Sequence, residues 1–565
     1  MRLFALLLAA ATLAHAADIR IDRYQAVKMR DGVTLYADVY RPTAPAKYPA
    51  LVVRTPYGLQ REGIHESLIR FAKAGYAVVA QDVRGRFESG GQWDPFRHEA
   101  KDGYDTIEWA AAQSWSNGKV ATQGGSYLGH VQWGAATQAP PHLVAAFPAV
   151  ASTNIYANWL TQGGAYRLSF NYGWGVVRMP NRVMLPQWWH TGPAAAGELR
   201  YENILQHLPL GTGDLESAHY AVKHYRDWLQ HESYDAYWKA ISDEERFSKV
   251  RVPVHTSGGW FDIFLAGTIN GYVGMRTQGA TETARKHAHM VIGPWGHGPS
   301  QKYGDLDFGP DAGHHLHDYE IRFFDTYLKG ENTGLAVEPP VKIFYMGVNK
   351  WKHEQDWPIP SAQARSFYLN EGGKLSRTKG AGTTNYTYDP MNPVPTTGGN
   401  NCCGTPTAAG PVDQGALDAR TDIVRFTTDA LTEPLAVAGP VKMMLHAATD
   451  GPDTDWMVKL IDVYPGGKAY PMAEGMLRAR FRNGLDKPAK LTPNQAYEFT
   501  VGMVGTAVVF QSGHKIRVDV TSSNFPQFDR NLNTGEPLAT ASKPRIARQT
   551  LHHDSHIVLP VVPLP

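Results

Sequence analysis

Gly124-Gly125-Ser126-Tyr127-Leu128-Gly129 places a serine between glycines, directly after the β-prone run Lys119-Val120-Ala121-Thr122. From Tyr127 through Leu128, Val131 and Ala135 the apolar residues take up helical spacing. A strand must therefore reverse into a helix within about three residues, the arrangement of a nucleophile elbow. Such a turn holds the serine in a strained backbone conformation, and glycines let strand and helix pass closely. The hydroxyl is pushed out of the sheet, into reach of a base. Taken alone, the same string also reads as a glycine-rich turn whose serine caps the following helix. A base and an acid later in the chain, in the right order, separate the two readings.

Working outward from the elbow, the chain alternates strands and helices. Gly32 to Tyr40 reads as a hairpin-like strand, Leu51-Val52-Val53 and Tyr76 to Ala80 as buried strands, and Ser67 to Ala74 and Asp105 to Gln113 as helices between them. Residues 151–247 lose the strand signal and gather Trp159, Tyr166, Phe170, Trp174, Trp188 and Trp189, the texture of an inserted cap. Strands resume at Val252 to Thr256 and His289 to Ile292. From Val341 onward Ile516, Val518 and Val520 alternate with Lys515, Arg517 and Asp519, and Tyr497, Phe499, Val501 and Met503 alternate with Glu498, Thr500 and Gly502. The expected fold class is α/β: an α/β-hydrolase sheet over residues 17–150 and 248–340, a helical cap over 151–247, and a C-terminal all-β sandwich of jelly-roll type over 341–565.

At 565 residues the chain exceeds what one hydrophobic core supports. A hydrophobic fraction of 43% with 19% charged residues describes packed globular domains. A net charge of +2, without lysine or arginine runs, leaves no footprint for nucleic acid. Met1-Arg2, the apolar run Leu3 to Leu13 and Ala14-His15-Ala16 read as a signal peptide over residues 1–16, too short for a permanent membrane span. Cleavage near Ala16-Ala17 and a periplasmic or secreted destination are expected. The only two cysteines, Cys402 and Cys403, are adjacent; a vicinal disulfide and two buried thiols both remain open, and neither suggests a metal site. His314, His315 and His317 have no carboxylate or cysteine partner at ligand spacing, so neither a metal nor a cofactor is expected. Asp82, Arg84 and Glu88 read as an ion-pair network bracing the domain, and Asp453 and Asp455 as a turn before a strand.

An α/β-hydrolase sheet presents serine, acid and histidine in that chain order, each on a loop beyond the end of a strand. Strand 252 to 256 leads into Ser257-Gly258-Gly259-Trp260-Phe261-Asp262, and strand 289 to 292 into Gly293-Pro294-Trp295-Gly296-His297. In this reading Ser126 attacks an acyl carbon, His297 takes its proton, and Asp262 orients the imidazole. The backbone N–H of Tyr127 is one oxyanion donor. The loop after Leu51-Val52-Val53 reads Arg54-Thr55-Pro56-Tyr57-Gly58, where Pro56 has no N–H to offer and the Tyr57 phenol is a candidate second donor.

Taken together, Arg54-Thr55-Pro56-Tyr57, Asp82-Val83-Arg84-Gly85-Arg86, the elbow with tyrosine after its serine, Gly259 to Asp262 and Gly293 to His297 resemble the cocaine esterase and Xaa-Pro dipeptidyl-peptidase group of α/β-hydrolases. The resemblance covers nearly all of the chain beyond the leader, because that group also carries a helical cap and a C-terminal jelly-roll sandwich. It implies a triad of Ser126, Asp262 and His297 and an oxyanion hole of Tyr57 and Tyr127. Members of the group that hydrolyse α-amino-acid esters hold the substrate ammonium with acids just after the triad aspartate. Here that position reads Ile263-Phe264-Leu265.

The function expected is an exported serine hydrolase of carboxylic esters working through an acyl-enzyme, on a small-molecule ester or amide, with Trp159, Tyr166, Phe170, Trp260 and Phe261 as substrate-binding candidates. The alternatives are an amidase or acylase, including a β-lactam acylase or Xaa-Pro dipeptidyl-peptidase, and, from another class, a non-catalytic carbohydrate- or surface-binding protein. Oligomeric state is left open, a dimer included.

Overall fold

In the computed structural model, residues 18–59, 64–181, 204–217, 219–313, 316–403 and 407–565 are described. The leader reading of residues 1–16, together with Trp188, Trp189, His314 and His315, lies outside them. The N-terminal hairpin pattern becomes two antiparallel strands, β1 (Ile19–Lys28) and β2 (Thr34–Pro42). They are followed by β3 (Tyr48–Thr55), β4 (Ala77–Asp82), β5 (Ser116–Gly125) and β6 (Leu143–Ala149). The cap then intervenes with a two-residue pair, β7 (Thr161–Gln162) and β8 (Ala165–Tyr166). The sheet resumes in β9 (His255–Gly259) and β10 (His289–Gly293). After a small hairpin of β11 (Lys302–Tyr303) and β12 (Leu306–Asp307), it closes with β13 (Val341–Tyr345) and β14 (Lys350–Glu354).

The spatial order is β1-β2-β4-β3-β5-β6-β9-β10-β13-β14, with the run from β4 to β13 parallel. β13 and β14, which follow the boundary expected after residue 340, extend this sheet: β13 pairs with β10, and β14 with β13. Crossover helices α1 (Ile64–Lys73), α2 (Glu99–Ala111) and α3 (Tyr127–Ala136) precede β4, β5 and β6.

Side chains alternate faces along a strand, and here the two faces feed two different cores. Val52, Val79, Val120, Ala146 and Ile292 join a cluster that runs on into the sandwich through Phe426, Trp456 and Phe499. Leu51, Val53, Val78, Ala121 and Phe147 join a second cluster with the cap aromatics Trp159, Phe170, Trp174 and Trp228. Both faces are covered, which is why β3 and β4 are nearly continuous apolar runs. The described part of the cap is less regular than the expected helices: π-helical turns at Ile155–Leu160 and Tyr172–Arg178, and a true helix at Lys223–Gln230.

The C-terminal domain is a β-sandwich whose strands run from Gln363–Asn370 to His556–Val561. Strand Tyr497–Gly502 follows the expected alternation, with Phe499 and Val501 buried between exposed neighbours. Strand Lys515–Thr521 does not: Arg517 and Asp519 are buried as well. The reason is a second cover. Lys459, opposite Asp519 across the sheet, donates from Nζ to Gln414 Oε1 at 3.1 Å and to the Thr397 carbonyl at 3.4 Å, so Thr397 and Gln414 lie over that face. Among the described residues, no helix is long and apolar enough to cross a membrane.

Candidate active site

At the end of β5, Ser126 has φ 64° and ψ −126°, and its side chain makes no capping bond to α3. The capping reading of the serine thus fails, and the strained elbow stands. The backbone is held there because the Ser126 N–H donates to the Ala149 carbonyl at 2.9 Å. Two glycines make the passage possible. A Cβ on Gly124, whose φ is 140°, would sit 2.6 Å from Leu128 Cβ, and one on Gly129 would sit 2.6 Å from Ala151 Cβ.

Asp262 and His297 come from the loops after β9 and β10, two neighbouring parallel strands whose C-terminal ends lie on the same edge as the elbow. His297 Nδ1 and Asp262 Oδ1 are 2.9 Å apart. Asp262 is fully buried, and its second oxygen, Oδ2, has no hydrogen-bond partner among the described residues. Its loop is stapled to the sandwich: Asn400 Nδ2 donates to the carbonyls of Trp260 (3.1 Å) and Asp262 (3.0 Å). Beside Asp262 lies a small cavity where Arg167, Gln162, Asn400 and Glu474 meet the apolar Trp260, Ile263 and Met503. Arg167 donates from Nη2 to Gln162 Oε1 at 3.2 Å, while its Nε and Nη1 and Glu474 Oε2 have no such partner among the described residues. Burial pushes the Arg167 guanidinium down to about 10, with Glu474 and Asp262 opposing that shift.

The tyrosines expected at the oxyanion hole are each held by buried hydrogen bonds. Arg54 donates from Nη1 to Glu99 Oε2 (2.8 Å) and from Nε to Gln81 Oε1 (2.8 Å), and the Tyr127 hydroxyl donates to Glu99 Oε1 (2.8 Å). Burial, with Glu99 adding to it, holds the Tyr127 phenol far above its ordinary range. The Tyr127 side chain is thus a brace; its amide, first in α3, donates to no backbone carbonyl among the described residues. Arg86 Nε donates to the Pro56 carbonyl at 2.8 Å and fixes the turn that carries Tyr57, whose hydroxyl accepts from Trp174 Nε1 at 3.2 Å. Of the expected bracing trio, Arg84 pairs with Asp102 and Asp31. Asp82 and Glu88 form no ion pair among the described residues, and burial pushes the Asp82 carboxyl up to about 8.

The aromatic candidates divide. Trp159 and Phe170 pack with Phe264, which sequence reasoning passed over. Phe264 stacks on Trp159 at 4.5 Å, lies edge-on to Phe170 at 5.6 Å, and meets the His297 ring edge-on at 5.4 Å. Trp260 and Phe261 turn into the opposite core: Trp260 Nε1 donates to the Phe344 carbonyl at 2.8 Å, and Phe261 stacks on Tyr303. Trp260 also borders the small cavity beside Asp262. The backbone of Tyr166 exchanges two 2.9 Å bonds with Asp529 of the sandwich, so it too serves an interface. Cys402 and Cys403 form a disulfide, and Cys402 joins the cap-side aromatic cluster.

A family profile described as X-Pro dipeptidyl-peptidase (S15 family) matches residues 31–299, and one described as X-Pro dipeptidyl-peptidase C-terminal non-catalytic domain matches residues 333–557. Cocaine esterase of Rhodococcus sp. (strain MB1 Bresler) is 33% identical over 577 residues, covering 95% of this chain and 97% of that protein. Among solved structures, an α-amino acid ester hydrolase superimposes with a TM-score of 0.85 at 29% identity, over 99% of this chain and 98% of that one. An aminopeptidase from the marine sediment archaeon Thaumarchaeota archaeon superimposes with a TM-score of 0.83 at 26% identity, over 99% of both chains.

Proposed function

Because this chain belongs to the X-Pro dipeptidyl-peptidase (S15) family and is a serine ester hydrolase, we propose that it cleaves small carboxylic esters through an acyl-enzyme on Ser126. The observation that carries the reading is the 2.9 Å Asp262–His297 contact on the strand-end edge that also presents the strained Ser126. With Nδ1 turned to Asp262, His297 offers Nε2 to the Ser126 hydroxyl. Ser126 Oγ attacks the acyl carbon as its proton passes to Nε2. The oxyanion accepts from the Tyr127 N–H and the Tyr57 O–H. Collapse expels the alcohol with the proton returned by His297, and a water then repeats the sequence to release the acid and regenerate Ser126.

Phe264 meets the His297 ring and packs with Trp159 and Phe170, and the three residues after Asp262 are apolar. Both features support an apolar or aromatic acyl group over one carrying a free ammonium. Export through the leader at residues 1–16 is part of the proposal, and a disulfide between Cys402 and Cys403 is in keeping with an oxidising compartment. A fluorophosphonate probe tests the nucleophile: labelling of the wild type and none of Ser126→Ala is expected. Equal labelling of both proteins would remove Ser126 from the mechanism. A panel of aryl, aminoacyl and prolyl esters and amides then ranks the acyl groups.

A further inference from the structure

The sulfurs of Cys402 and Cys403 and a ring nitrogen of His297 lie within 4.8 Å of one another. The two cysteines, alone in the sequence, lacked a third ligand; the fold supplies one, and it is the histidine proposed as the triad base. We propose that reduction of the Cys402–Cys403 disulfide converts this corner of the active site into a Cys2His site for a thiophilic divalent cation such as Zn²⁺, and that the bound ion switches the esterase off by occupying His297. The inference rests on the proposed role of His297 for its effect on catalysis, but not for the site itself.

Four features support the site. The loop is held beside the triad by bonds that do not involve the disulfide. Asn400 donates to the Trp260 and Asp262 carbonyls, the Asn400 N–H donates to Glu474 Oε1 at 2.9 Å, and Gly399 and Gly410 exchange two backbone bonds. Opening the disulfide therefore leaves both sulfurs next to His297. Second, Cys403 has φ 67°, a left-handed turn that brings neighbouring side chains to the same side rather than to opposite sides as in a strand. Third, tetrahedral zinc takes thiolate at about 2.3 Å and imidazole at about 2.0 Å, so with the donors already within 4.8 Å the two cysteine side chains close on one ion by rotation while His297 stays in place. Fourth, metal-bound histidines ordinarily donate their other ring N–H to a carboxylate, which fixes the ring. Here Asp262 engages Nδ1 and leaves Nε2 to the ion.

The step balances as follows. A dithiol reductant gives two electrons and two protons to the disulfide and is itself oxidised to a disulfide, leaving two thiols. Zn²⁺ then displaces both thiol protons to solvent and takes the Nε2 lone pair. That lone pair is the one that accepts the Ser126 proton, so the ion and catalysis compete for the same orbital. An enzyme with this device is silent while reduced and metal-loaded, and active once its sulfurs are oxidised.

The test uses the full chain, oxidised or reduced with a phosphine that does not chelate metal. With Co²⁺ as probe, the reduced protein is expected to develop a thiolate-to-cobalt charge-transfer band saturating at one equivalent. The oxidised protein and the Cys402→Ser/Cys403→Ser double variant should show none. With one equivalent of Zn²⁺, ester hydrolysis by the reduced protein should fall at least tenfold and return on chelation, while the oxidised protein and the double variant keep their rates. His297→Ala should weaken cobalt binding by roughly ten- to a hundredfold. No band in the reduced protein would overturn the site whatever the esterase assay reads, and unchanged hydrolysis with zinc bound would overturn the switch. Fluorophosphonate labelling of Ser126 in the oxidised protein tests the catalytic reading separately.

Discussion

Asp262 in the hydrolase domain and the pair Asp455 and Asp529 in the sandwich are all buried, yet they are provided for in opposite ways. In the sandwich, Arg478 donates from Nε and Nη2 to both oxygens of Asp455 at 2.9 Å, and from Nη2 to Asp529 at 2.8 and 2.9 Å. Asn531 adds a 2.8 Å bond to Asp455. Every carboxylate oxygen there is spoken for, which corrects the reading of Asp455 as part of a simple turn. Asp262 instead gives one oxygen to His297 and keeps the other without a partner among the described residues, with the Arg167 guanidinium near but not bonded. A fully neutralised carboxylate stabilises a fold; one left short of a cation retains charge with which to stabilise an imidazolium. The same fold builds both.

The contrast is broken or upheld by exchanging the two kinds of loss. Asp262→Asn should lower kcat by about 10⁴-fold with a melting temperature close to wild type. Arg478→Met should lose about 3–5 kcal/mol of stability by leaving carboxylates buried and unpaired, while the molecules that remain folded turn over at the wild-type rate. Denaturant titration beside steady-state kinetics reads both, and a stability loss in Asp262→Asn matching that of Arg478→Met would collapse the distinction.

Next in size is Tyr57→Phe, which keeps the ring and removes only the hydroxyl, with its bond from Trp174 Nε1. A fall in kcat of roughly tenfold to a thousandfold with KM little changed is expected. Wild-type turnover would take Tyr57 out of the oxyanion hole.

Histidines extend the comparison. His514 in the sandwich is bonded to Asp462 at 2.8 Å, whereas burial pushes His289 in β10 and His224 in the cap down to about 4. Between pH 6.5 and 4 the unfolded chain takes up protons that these two refuse in the folded state. Stability therefore falls as the pH drops through that window, by up to about 1.4 kcal/mol per unit for each group. His289→Phe should flatten the slope of unfolding free energy against pH; an unchanged slope would assign the acid sensitivity elsewhere.

The smallest expected effect belongs to Arg167→Met. Removing a cation from behind Asp262 strengthens that carboxylate's hold on protonated His297. The acid limb of kcat/KM should move to higher pH by about half a unit. A drop in stability with an unmoved profile would make Arg167 a packing residue only.

How much of this was legible in the chain depends on the range of the information. The elbow is written in local terms: a β-prone run, glycines where a Cβ would strike Leu128 or Ala151, and helical spacing afterwards. The serine, acid, histidine order is legible because parallel strands deliver their C-terminal loops to one edge. That β13 and β14 extend the parallel sheet is not legible, because short alternating strands look alike whether they extend such a sheet or open a sandwich; only the pairing of β13 with β10 distinguishes them. Ile263-Phe264-Leu265 was read for its missing acids, and nothing in its composition says that Phe264 faces His297 while Trp260 and Phe261 face the other core.

The sequence by itself determined the strained serine, the strands that lead to Asp262 and His297, and the family to which those segments belong, because each is a matter of neighbours along the chain. Only the tertiary structure decided what surrounds them. Arg167 behind Asp262, Asn400 across its carbonyl, and the Cys402–Cys403 pair against His297 arise where cap, sheet and sandwich meet. Periodicity reports that a residue is buried, but contact between distant segments decides which core receives it and which charge it finds there.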